Sequence, residues 1–163
     1  QKGYKIAREG LRTISQFKDG EFKLHQDYFQ SLEKASPAVS QHPHVESAIA
    51  LLLKIEEGAG RLIQSLTRSN AFTKEELNYI QRTLMRLLHH GATTIGTLHA
   101  VTGGEGLQMT DKARLEKVEH LYRDMQDHYT FLQSFSGEAR TLMALRKMES
   151  LELQRSRATR GLK

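Results

Sequence analysis

The chain of 163 residues has no cysteine and no tryptophan, only two prolines, and aromatic residues at 7% of its length. Without cysteine there can be no disulfide, thiolate zinc site or cysteine nucleophile, although the compartment stays open. Pro37 and Pro43 lie close together, so nearly all the remaining chain is free to be helical. The longest apolar run, Ala48–Leu53, is far short of the roughly 20 residues that a membrane-spanning helix needs. A hydrophobic content of 38% with few aromatics suits helices packed through Leu, Ile, Ala and Met.

Net charge is absent everywhere but at one end. Basic and acidic residues balance over residues 1–139. Arg140, Arg146, Lys147, Arg155, Arg157, Arg160 and Lys163 stand against only Glu149 and Glu152, and this end accounts for the whole formal charge of +5. A neutral body with a basic end says where an anionic partner would bind. Cations near a helix C-terminus also complement its dipole, at about 0.3–1 kcal/mol each.

The apolar residues recur at helical spacing. Tyr4, Ala7, Leu11, Ile14 and Phe17 share one face, and Asp19-Gly20 ends that helix; Phe22, His25, Phe29 and Leu32 share the next. Residues 36–44 read as a loop, because the residue before each proline is pushed out of the helical region. Val45, Ala48, Leu52, Ile55, Ala59, Leu62 and Leu66 then form a helix over 45–68, with Ile49, Leu51, Leu53 and Ile63 widening its apolar arc. So wide an arc predicts a central helix, with close approach of a neighbour compensating for Gly58 and Gly60.

Thr73 and Glu76 form a capping box flanked by Phe72 and Leu77, which starts a fourth helix that ends at Gly103-Gly104-Glu105-Gly106. Thr110-Asp111 starts the last. Its stripe runs through Leu115, Val118, Tyr122, Met125, Tyr129, Leu132, Ser136, Ala139 and Met143, and Gly137 is a place for a bend or break. The fold class is therefore all-α: an elongated bundle of about five helices with a long C-terminal helix. One domain is expected over residues 1–152, with a basic tail over 153–163.

Chemistry-bearing motifs are few. No HExxH occurs, no Glu stands three residues before a His, no GxSxG elbow is present, and the glycine-rich 103–106 segment lacks the Lys-Ser/Thr of a phosphate loop. Neither catalysis nor a cofactor is expected. His120, Asp124 and His128, spaced four apart on one helical face, are the candidate metal ligands, with Glu116 preceding them. Arg155, Arg157, Arg160 and Lys163 are the candidate anion-binding residues. Their segment has no aromatic for base stacking, so it suits a phosphate backbone, an anionic membrane surface or an acidic protein face better than base reading.

Lys2, Gly3, Tyr4, Ile6, Gly10 and Leu11 match a K-G-Y-x-I-x-x-x-G-L pattern. Gly20, Glu21, Phe22, Leu24 and His25 match G-E-F-x-L-H, and Leu121–Asp127 is similar to L-Y-x-D-M-Q-D. By these motifs the chain resembles a group of Bacteroidetes proteins encoded near conjugative-transfer genes and loosely labelled TerB-like tellurite-resistance proteins. Such proteins usually carry a signal peptide, so the resemblance implies export to the periplasm or cell envelope, and a first residue of Gln1 fits that expectation. It also implies an accessory or structural role beside a conjugative DNA-transfer (type IV secretion) apparatus, through protein partners bound by helix–helix packing and with homo-oligomers possible. The TerB label implies, as an alternative, a metal- or oxyanion-responsive binding module. The basic tail leaves a nucleic-acid-binding module as another.

Overall fold

The computed structural model describes residues 42–102 and 109–159. Within them the chain is all-helical: α1 (Pro43–Ser69), α2 (Lys74–Thr102) and α3 (Asp111–Thr159). The helices expected over 4–18 and 22–35, the 103–106 connector, and Arg160 and Lys163 lie outside the described residues.

α1 begins two residues earlier than the sequence indicates. Pro43 occupies the first turn, where a missing N–H costs nothing and the fixed φ is already helical. His42 is the N-cap, its backbone extended and its Nδ1 accepting from the His44 N–H at 3.4 Å. The helix ends at Asn70, whose left-handed φ of 54° is one that Asn tolerates better than most residues. The capping box forms as the sequence predicts: the Thr73 N–H donates to Glu76 Oε2 at 2.8 Å and the Glu76 N–H to Thr73 Oγ1 at 3.2 Å. Thr110 caps α3 by accepting from the Ala113 N–H at 3.3 Å.

The three helices pack pairwise. The stripes read from the sequence are the buried ones: Val45, Ala48, Leu52, Ile55, Ala59, Leu62 and Leu66 of α1 are fully covered, as are Leu84, Leu88, Ile95 and Leu98 of α2. Val118, Met125, Leu132 and Ala139 supply the face of α3. α1 and α3 run in the same direction, because His44 lies beside Glu119 and Tyr122 while Gly58 lies beside Leu132. α2 runs against both, with His90 beside His128 and Glu76 beside Arg146. At the other end, the Arg114 guanidinium donates to the Val101 carbonyl at 2.5 Å and ties the end of α2 to the start of α3.

Two glycines mark close approaches. A Cβ on Gly58 would stand 2.7 Å from Leu132 Cδ2, and one on Gly91 2.8 Å from Leu52 Cδ1. Gly60 differs from the expectation: a Cβ there meets nothing within 4 Å, and the same holds for Gly96 and Gly137. Gly60→Ala and Gly96→Ala should therefore each stabilise the protein by up to about 1 kcal/mol through helix propensity. Gly91→Val should destabilise it by about 1–3 kcal/mol through overpacking against Leu52. Urea unfolding midpoints check both signs.

α3 is 49 residues long, or about 74 Å, and continuous. Gly137 neither breaks it nor ends it. Its neighbours Ser136 and Ala139 are buried, and their packing outweighs about 1 kcal/mol of lost propensity. The helix also passes the 152/153 position without interruption and reaches Thr159, whose Oγ1 donates to the Arg155 carbonyl at 2.6 Å.

Candidate functional site

The proposed metal ligands do not converge. His120 Nδ1 lies 3.2 Å from Asp124 Oδ2, an exposed pair between successive turns of α3. His128 lies toward α2, where its ring meets that of His90 edge-on, with centroids 6.2 Å apart. Glu116 lies 4.0 Å from Lys112. Among the described residues, no three His, Asp or Glu side chains gather as a ligand set.

Burial pushes His128 below the ordinary histidine value. Its neighbour His90 adds to the shift, while Asp124 and Asp127 oppose it. The folded state thus prefers the neutral ring. The stability this brings is complete above the ordinary pKa of about 6.5 and is lost as pH falls through the lower folded value. His128→Gln should therefore flatten the fall in unfolding free energy as pH drops below about 6.5, as read from denaturant curves.

At the same end of the molecule, His44 Nδ1 lies 2.6 Å from Glu119 Oε2, and its ring stacks on Tyr122 with centroids 4.3 Å apart. Arg123 donates to Glu119 at 3.1 Å. Desolvation pulls the Glu119 carboxyl upward, but the hydrogen bonds from Arg123 and His44 win and hold it below the usual range. These contacts lock the start of α1 onto α3, and nothing in their geometry singles out a nucleophile.

The far end carries more. Arg146 reaches across to the start of α2 and grips Glu76 with both guanidinium nitrogens, at 2.7 and 2.8 Å. It also donates to the Ala71 carbonyl at 2.9 Å and lies over the Phe72 ring, 5.1 Å from its centroid. The Arg146 hydrogen bond, backed by the Thr73 N–H, lowers the Glu76 pKa to about 2. One of the seven cations of the basic end is thus spent on a fork geometry that a lysine could not reproduce.

Beyond this clamp no described residue packs on the helix. Every residue from 147 to 159 is exposed, a projection of about 20 Å. It is not polar throughout: Leu145 is 59% exposed, Met148 60% and Leu151 54%, with Leu142 and Leu153 similarly bare. Arg155 and Arg157 stand exposed on this projecting helix. At its foot, Phe72 and Tyr79 face Phe135 and Leu142 across a groove of about 490 Å³, with Glu75 and Glu138 among its lining.

The sequence reading missed the Arg146 clamp and this bare apolar surface. The signal was present as apolar residues at 142, 145, 148, 151 and 153, off the buried stripe that ends near Met143. No family model, curated protein or solved structure matches this chain. Among the described residues, no helix is long and apolar enough to cross a membrane.

Proposed function

We propose that this chain is a non-enzymatic helical accessory protein of a conjugative DNA-transfer apparatus, exported to the periplasm or cell envelope and working by helix–helix association. The observation that carries the reading is the free end of α3, a regular helix that keeps Leu145, Met148, Leu151 and Leu153 in solvent. Exposed leucines concentrated on one projecting element mark an interaction surface better than scattered ones do. The resemblance of the Lys2–Leu11 and Gly20–His25 motifs supplies the cellular setting. In this reading, the two helices expected over 4–18 and 22–35 complete an elongated five-helix bundle. Affinity recovery from donor-cell envelopes tests it. The native chain should bring down transfer components, and Leu145→Lys with Leu151→Lys should lose them. A native chain that recovers none contradicts the reading.

Arg155 and Arg157, exposed with no acid after Glu152, support a second reading in which this end binds phosphate backbones. DNA retention should then fall steeply with salt and vanish when residues 153–163 are deleted. Retention unchanged by the deletion excludes it.

A further inference from the structure

We propose that the first partner of the projecting helix is a second copy of this chain, paired antiparallel along the outer face of α3. The proposal rests on the association reading above and names its partner.

Glu138, Leu145, Met148 and Arg155 are spaced seven, three and seven residues apart, which places them on one side of a helix. All four are exposed, and this side points away from the buried Ala139 and the half-buried Met143. Thr141 and Glu152 lie on the same side and are also exposed, so in order the face runs acid, Thr, apolar, apolar, acid, base. Run antiparallel against itself about a twofold axis between Arg146 and Lys147, it sets Glu138 opposite Arg155 and Leu145 opposite Met148. Leu142 and Leu151, which flank the face, also fall opposite each other. A twofold contact requires such a self-complementary surface, since each residue must meet the partner of its own symmetry mate.

A parallel pairing in register would set Glu138 on Glu138 and Arg155 on Arg155, so charge selects the antiparallel form. The pairing also sets Arg155 of each copy against Glu138 of the other, at both ends of the seam. The paired segment 138–155 is about 26 Å long. That is a short seam beside a standard interface, so the dimer should be a weak, reversible one.

Sedimentation equilibrium of the full chain, with circular dichroism confirming that each variant is folded, tests this. The native chain should dimerise. Glu138→Arg and Arg155→Glu should each raise the dissociation constant about tenfold, the equivalent of about 1.4 kcal/mol. Mixing the two single variants should restore native affinity, and so should combining both changes in one chain, because each then re-creates opposite charges at both ends of the seam. A native chain that stays monomeric to about 500 µM overturns the proposal. So do single variants that pair as well as the native chain, or a mixture that is not restored. If the chain is monomeric while Leu145→Lys still abolishes recovery of envelope partners, the dimer falls and the association reading stands.

Discussion

Leu52→Ala should lower the unfolding free energy by about 2–5 kcal/mol, a large part of the roughly 5–15 kcal/mol that holds an ordinary domain together. Leu52 is fully buried, and its Cδ1 lies against Gly91 of α2, with Met125 of α3 nearby. Truncation empties the point where all three helices meet, and the glycine opposite has no side chain to fill the space. The same geometry predicts a coupling. In the native protein, Gly91→Ala brings a methyl to 2.8 Å from Leu52 Cδ1, so its gain of about 1 kcal/mol in helix propensity is spent on displacing that side chain. In the Leu52→Ala protein the new methyl enters the cavity and Gly91→Ala should stabilise clearly. A double-mutant cycle by urea unfolding checks this; additive effects would mean that the two residues do not share the space.

Arg146→Leu should release the upper part of α3 from the body of the protein. It removes the paired hydrogen bonds to Glu76, the bond to the Ala71 carbonyl and the contact with Phe72 while keeping an apolar stem. Residues 147–159 are exposed, with none buried among the described residues, and so short a helix is marginal in water unless it continues a packed one. Amide protection over about 140–159 should fall in the variant while that over 118–132 is kept.

The acid response should change too. With its folded pKa lowered from 4.5 to about 2, Glu76 contributes stability that is present above about pH 4.5 and lost as pH falls toward 2. Without Arg146, the largest cause of that shift is gone, and the fall in stability across this window should be shallower. An unchanged acid profile would mean that the pair is open in solution.

Helical periodicity made much of the fold legible. The α1 stripe, the α2 stripe and the Thr73 and Thr110 caps follow from residue spacing and local capping chemistry alone, which tertiary contacts then reinforce. What depended on contacts distant in sequence was not legible. Gly58 and Gly60 look alike in sequence, yet only Gly58 faces a neighbouring helix. Arg146 reads as one more dipole-complementing cation until Glu76, far away in the chain, is placed beside it. The bare surface on α3 was hidden for a related reason: Leu145, Met148 and Leu151 lie off the buried stripe of their helix, and their meaning comes from having no neighbour among the described residues. The His120, Asp124 and His128 spacing was legible, but spacing on one helix could not supply the ligands from other elements that would make a metal site.

The central claim is that the outer face and free end of α3 are the working surface. Because the chain has no cysteine, single cysteines can be placed at will and cross-linked in donor cells. Cysteines at 145, 148, 151 and 155 should capture partners, whether a second copy or an envelope protein, while cysteines at the exposed positions 54, 64 and 82 should not. Capture spread evenly over both sets, or confined to the second, would contradict the account.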